Sequence, residues 1–344
     1  MLRLLLLIAA LIAPSAALSA AKPMVVKVVV LTTFESGASA AKKSGEFQAW
    51  AERYPLTHPV KVPGIEGRVL ASDDGVLGVV TGMRARARDS MMALLLDPDL
   101  DLSHAYFVVA GIAGVDPRTG SIGSAAWANW VVDADPIFEI DDRDIPKDWP
   151  WGLYALNTPK PGIKGLAPGS SGMVWRMDPG LTQWAYQLTK DVKLDDNPHL
   201  AATRARFKSE PEAQTLPHVF IGDDLGTVRF WHGELRTQWA RDWVKIFTGG
   251  QGTFAMSECE DQGIMDVLDL FGRAGRIDIR RVLILRTGSN YTREGDGEAQ
   301  VVEFTEGGAA AAFEAAYRVG QPVVKALVAG WPKYQTTLPQ AAAK

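Results

Sequence analysis

Short β-branched runs alternate with helix-length amphipathic stretches over the first 130 residues. Residues 25–31 (VVKVVVL) and 76–81 (VLGVVT) are too short for helices and too evenly apolar for strands with one wet face. Such runs belong to strands covered on both sides. Helices are expected over 38–53, before Tyr54-Pro55, and over 82–96, before Asp97-Pro98. Residues 105–110 and 128–132 read as a third and a fourth strand. This repetition predicts an α/β fold, a three-layer αβα arrangement around a central mixed, mostly parallel sheet. From 135 to about 216 the pattern loosens into prolines, tryptophans and charges, with helical patches near 181–192 and 199–208. We read that stretch as an insertion covering the sheet, within a single domain spanning 22–340. Regularity returns with a strand at 217–222, a helix at 235–247, an apolar strand before Glu258 and a helix after it. A strand at 281–286 and an alanine-rich helix at 306–330 close the pattern.

The first 21 residues differ from the rest. Met1-Leu2-Arg3 gives a positive start, LLLLIAALIA an apolar run, and Ser15-Ala16-Ala17 or Ser19-Ala20-Ala21 a small-residue cleavage site. The run falls short of the ~20 residues needed to span a bilayer. Residues 1–21 are therefore read as a signal peptide, implying export to the periplasm or exterior. No later stretch approaches ~18 continuous apolar residues. The net charge of −4 argues against a nucleic-acid footprint. Cys259 is the only cysteine, which excludes an intramolecular disulfide. The five histidines show no ligand spacing, and no metal is expected.

Candidate chemistry gathers at strand ends. TFAMSECEDQGI (253–264) places Glu258, Cys259 and Glu260 where an apolar run becomes a helix. A carboxylate there can accept two hydrogen bonds from vicinal hydroxyls, a sugar-diol contact. VLILRTGSNY (282–291) is expected to carry Arg286, Ser289 and Asn290 out of the sheet, and FVVAGIAGVD (107–116) to open at Gly111 and Gly114. Three polar or glycine-rich ends around one sheet suggest a pocket at its carboxyl edge, read here as a ribonucleoside site. Glu35 follows the first strand and could hold an attacking water. Thr81, Gly82 and Arg84 meet a helix amino terminus, where anions are favoured. Phe230, Trp231 and Trp239 could stack on a purine.

Taken in order, VVVLTTFE, VVTGMRARARDSMMALLL, VVAGIAGVDPRTGSIGSAAWANWVVDAD and the pair SECED and LRTGSN resemble the purine nucleoside permease family, within the nucleoside phosphorylase and nucleosidase superfamily. The resemblance covers about 25–134 and 217–330. It implies ribose binding by Glu260, with Glu258 as the alternative if the register shifts by two, and Cys259 as a wall beside the sugar. It implies base contacts from Asn290, Ser289, Gly111 and Gly114. Nucleosidases of the superfamily usually carry an aspartate where this chain has Asn290. An asparagine is no acid at neutral pH, but it can bond a 6-oxopurine. Glu35 and Asn290 are thus the catalytic candidates, and Thr81, Gly82, Arg84 and Arg286 the anion candidates. The resemblance implies no cofactor beyond phosphate as a co-substrate. It leaves open phosphorolysis, hydrolysis, or binding alone in nucleoside uptake, with a membrane transporter as partner and a homo-oligomer by analogy.

Overall fold

The computed structural model describes residues 22–36, 44–165, 173–301 and 306–341. The expected signal peptide at 1–21 lies outside the described residues. The main sheet contains β1 (Val28–Thr32), β2 (Val69–Ala71), β3 (Val76–Val80), β4 (Tyr106–Val115), β5 (Ala125–Trp127) and β6 (Trp130–Asp133). It continues with β7 (Val174–Arg176), β8 (Val219–Ile221), β9 (Asp223–Gly226), β10 (Phe254–Glu258) and β11 (Val282–Tyr291).

The apolar run of β1 is explained by two cores. Val29 and Leu31 pack on one face with Met91 and Leu94 of α1 (Ala85–Leu96) and Ile264 and Leu268 of α2 (Asp261–Arg273). Val28 and Val30 pack on the other with Trp50 and with Val319, Val323 and Leu327 of α3 (Glu306–Ala329). A strand with no wet face gains nothing from alternation. The sheet is mixed: β1 is parallel to β3 and β4, and β2 is antiparallel to β3.

β4 is the pivot. Its first half pairs with β1, while Gly114 and Val115 pair antiparallel with Ser257 and Met256 of β10. Its other edge carries β11 in parallel, and β11 pairs antiparallel with β5. Strands β5 and β6 run alongside β8 and β9, and β9 pairs with β10. The pairing thus returns to β4, so half of the sheet closes into a ring and the other half stays open. The ring gathers the carboxyl ends of β4, β9, β10 and β11 at one place.

Three expectations change. The helix expected over 38–53 is described only at Gln48–Arg53, and Ser44–Gly45 instead pairs with Glu35–Ser36. Gly45 has φ 139°, and a Cβ there would meet Phe34 O at 2.5 Å, so this turn cannot be helical. The strands expected to end at 110 and 286 run on to Val115 and Tyr291, because each supplies backbone partners to the other along its length. Gly111, Arg286, Ser289 and Asn290 therefore lie within strands and do not leave the sheet. In the stretch 135–216, β7 extends the sheet edge beside β6, and Thr189 Oγ1 accepts from Trp127 Nε1 at 2.9 Å. No helix among the described residues is long and apolar enough to cross a membrane.

Candidate functional site

A cavity of about 590 Å³ opens at those gathered strand ends. Its lining includes an acidic group, Glu46, Glu258, Cys259 and Glu260, and a polar and aromatic group, Ser289, Asn290, Thr292, Phe230, Trp231 and His232.

The acidic wall follows from the strand-to-helix junction. β10 ends at Glu258, Glu260 stands at the N-cap of α2, and Asp261 opens its first turn. The N–H groups of Glu260 and Asp261 donate to Glu258 Oε2, the latter at 2.7 Å. This fixes Glu258 as the junction's own anchor. Glu260 Oε1 accepts the Arg84 N–H at 3.0 Å. Arg84 has φ 58°, a conformation that costs a non-glycine residue free energy. Burial raises the Glu260 pKa from 4.5 to about 7; the charge on Arg286 opposes the rise and Glu46 adds to it. Burial also pushes the Cys259 thiol well up, which suits a wall and not a nucleophile.

Arg286 lies beneath this wall and is 1% exposed. Nε and Nη2 grip both Asp261 oxygens at 2.9 and 2.6 Å, and Nη2 also reaches Glu258 at 3.3 Å. Glu260 lies 3.5 Å and Glu46 3.9 Å away. Burial opposes its charge, but Asp261, Glu258 and Glu260 outweigh burial and hold its pKa above the ordinary value. Arg286 does not line the cavity and is not placed to serve as the expected phosphate ligand, because its donors are engaged by Asp261, Glu258 and the Ile112 carbonyl. Gly111 is also displaced from its expected base contact: a Cβ there would meet Arg286 Nη1 at 2.5 Å and Glu46 Oε1 at 2.7 Å. It is glycine so that these groups can press against the strand. Gly114 does line the cavity.

Glu46 is the residue that sequence reasoning missed. It is 1% exposed and accepts from Thr33 N at 2.5 Å, Thr33 Oγ1 at 2.8 Å and Ile112 N at 2.7 Å. Burial raises its pKa, with Arg286 and these donors opposing. Glu35, the expected water-holding acid, bonds Arg68 through Nε at 2.9 Å and through Nη2. It lines a neighbouring cavity of about 550 Å³, beyond Thr33, Phe34 and Met83. Ser44–Gly45 folds back on the loop after β1 and brings Glu46 into the cleft instead. The only sequence signal for Glu46 was a carboxylate before the apolar residues of EFQAW, which reads equally well as a helix surface.

The polar wall depends on a bulge. The register of β11 on β4 slips between Gly288 and Asn290. Neighbouring strand residues normally face opposite sides, and the slip lets both Ser289 and Asn290 line the cavity. Ser289 Oγ reaches Asn290 Oδ1 at 3.0 Å and Ala113 O at 3.2 Å, and Asn290 Nδ2 donates to Tyr291 O at 2.9 Å. Ser289 thus orients the amide. Phe230 and Trp231 line the cleft, whereas Trp239 is buried in the core behind Trp231.

The expected anion site is not assembled. Thr81 Oγ1 contacts Thr32 O and Gly82 O, and Thr81 and Gly82 face the neighbouring cavity. The Arg84 N–H is taken by Glu260, and its Nε donates to Val228 O at 2.9 Å. Arg229, the arginine among the described lining residues, pairs with Glu139 at 2.6 Å, and His232, whose pKa burial lowers, bonds Glu294 at 3.0 Å.

The chain matches the family profile described as purine nucleoside permease (NUP) over residues 25–339. It is similar to a purine nucleoside permease of Candida albicans, 25% identical over 304 residues, covering 84% of this chain and 73% of that protein. Among solved structures it is similar to futalosine hydrolase of Helicobacter pylori, at 14% identity and TM-score 0.54, covering 89% and 98% of the two chains. It is also similar to the H. pylori 5′-methylthioadenosine/S-adenosylhomocysteine nucleosidase solved with butyl-thio-DADMe-Immucillin-A, at 13% identity and TM-score 0.55, covering 88% and 99%. These likenesses show a nucleoside-phosphorylase-like fold.

Proposed function

This chain belongs to the purine nucleoside permease family, and on that premise we propose that it binds purine ribonucleosides in the cleft and hydrolyses their N-glycosidic bond. The observation that carries the proposal is a pair of buried carboxylates, Glu260 and Glu46, lining the same cavity as the amide of Asn290. Glu260 accepts the two ribose hydroxyls. Glu46, raised in pKa, takes a proton from water as the water oxygen bonds to the anomeric carbon. The bond to the base breaks with its electron pair going to the purine. Asn290 holds the developing charge by hydrogen bond, and the base takes its proton from solvent. Phe230 and Trp231 offer faces for the ring, and an amide at 290 favours a 6-oxopurine. Hydrolysis is preferred to phosphorolysis because the lining is acidic and its arginine, Arg229, is paired with Glu139, which disfavours a phosphate anion.

A second reading is binding without catalysis, as the exported component of nucleoside uptake beside a membrane transporter. The asparagine at 290, which is no acid, favours it, as does the name of the Candida relative. Export rests on the leader-like residues 1–21. Incubation with inosine and guanosine, with and without phosphate, decides between them by chromatography of free base. Equal release in both conditions supports hydrolysis, and release only with phosphate means phosphorolysis. Saturable binding without release leaves the binding protein, and neither release nor binding overturns the nucleoside site.

A further inference from the structure

Behind the cleft, the far side of Glu258 faces a group of oxygens that the proposed reaction does not use. Asp224 of β9, Glu258 of β10 and Asp261 of α2 each bring a carboxylate oxygen within 4.8 Å of the others, and all three are buried. Both Asp224 oxygens and Glu258 Oε1 have no hydrogen-bond partner. A neutral side chain points to the same place. Gln262 is 5% exposed, and its Nε2 donates to Asp135 Oδ2 at 3.1 Å. That bond sets the amide so that Oε1 turns the other way, where it too has no partner. Gln262 Oε1 and Glu258 Oε1 converge over Gly226, and a Cβ there would collide with both.

Two kinds of species could satisfy this group. A single proton shared between Asp224 and Glu258 would serve those two carboxylates and leave Gln262 Oε1 bare; a second proton, on Glu258 Oε1, would be needed to serve it as well. A cation would serve all four side chains and offset the excess of carboxylates over the single guanidinium of Arg286. We propose that Asp224, Glu258, Asp261 and Gln262 form a buried site for a hard divalent cation of Ca²⁺ size. The donors are all oxygens, and the three carboxylate oxygens lie within 4.8 Å of one another, a span that metal–oxygen distances of about 2.3–2.6 Å can bridge. Mg²⁺ demands near-ideal octahedral geometry and is usually held by only one or two carboxylates, whereas Ca²⁺ accepts several carboxylates in a flexible shell. The site has a positioning role. Glu258 Oε2 holds the N–H groups of Glu260 and Asp261, so a cation on Oε1 stiffens the junction that carries Glu260.

The test uses the full chain, stripped with EDTA and returned to metal-free buffer, alongside metal analysis of the protein as purified. CaCl₂ should raise the melting temperature by about 5 °C at saturation, and MgCl₂ by less. Asp224→Asn should abolish the shift. If that variant does not fold, Gln262→Met should still fold and show a smaller shift at a given Ca²⁺ concentration. The proposal is overturned if the purified wild type contains no Ca²⁺ and shows no shift, or if the shift persists unchanged in the variants. Without a Ca²⁺ shift, an Asp224→Asn variant at least as stable as wild type at neutral pH would mark a proton-sharing pair instead. None of these readouts depends on nucleoside binding.

Discussion

The two walls of the cleft solve different problems. The Glu258–Asp261 wall is charged and buried, with one guanidinium facing four carboxylates. The Ser289–Asn290 wall is neutral and built on a strand bulge, with Phe230 beside it 62% exposed. A buried charge is tolerated only when its partners are fixed in place, so the acidic wall must be rigid and is costly to alter. A neutral amide can be exchanged at small cost, so the other wall can tune which base is accepted.

The sharpest way to break this contrast is Arg286→Met, which removes the guanidinium that Asp261 and Glu258 are bonded to in the interior. A loss of about 3–5 kcal/mol is expected, measured by urea unfolding. A loss below ~1 kcal/mol, the scale of surface pairs, would mean that the wall is not held electrostatically. Glu260→Gln should keep the fold but weaken nucleoside binding by about 1.5–3 kcal/mol, read by calorimetry. An unchanged Kd would remove Glu260 from the sugar contact.

The same residue predicts a pH dependence. The folded pKa of Glu260, about 7, exceeds its ordinary 4.5. Its contribution to stability is therefore full below 4.5, falls between there and 7, and is lost above. Ligand affinity should run the other way, because the diol needs the carboxylate. Binding should strengthen through pH 7 in wild type and be flat across that window in Glu260→Gln. Parallel profiles for the two proteins would assign the titration to another group. On the neutral wall, Asn290→Ala should cost about 0.5–1.5 kcal/mol of affinity for inosine, with the fold intact. A larger loss of stability would show that this wall is structural too. Cys259→Ser should change binding least, and iodoacetamide should label native Cys259 only slowly, since its thiol is buried with a raised pKa.

The charged wall was also the more legible of the two. Glu258, Cys259 and Glu260 are neighbours, and an apolar run turning into an amphipathic helix fixes their place from local pattern alone. Ser289 and Asn290 were expected together beyond a strand end; they stay in the strand, where alternation would send them to opposite faces, and only pairing with β4 creates the slip. Glu35 and Glu46 show the limit most plainly. Both follow β1, and only the fold-back at Ser44–Gly45 places Glu46 in the cleft and leaves Glu35 with Arg68.

The sequence by itself determined the strand and helix periods and the α/β class, because these depend on residues a few positions apart. It also determined the carboxylate-bearing junction. Tertiary structure alone decided the ring closure through β4, the choice of Glu46 over Glu35 and the enclosure of Arg286 by distant carboxylates. Each depends on contacts between segments tens to hundreds of residues apart, where burial and charge neutralisation outweigh local preference.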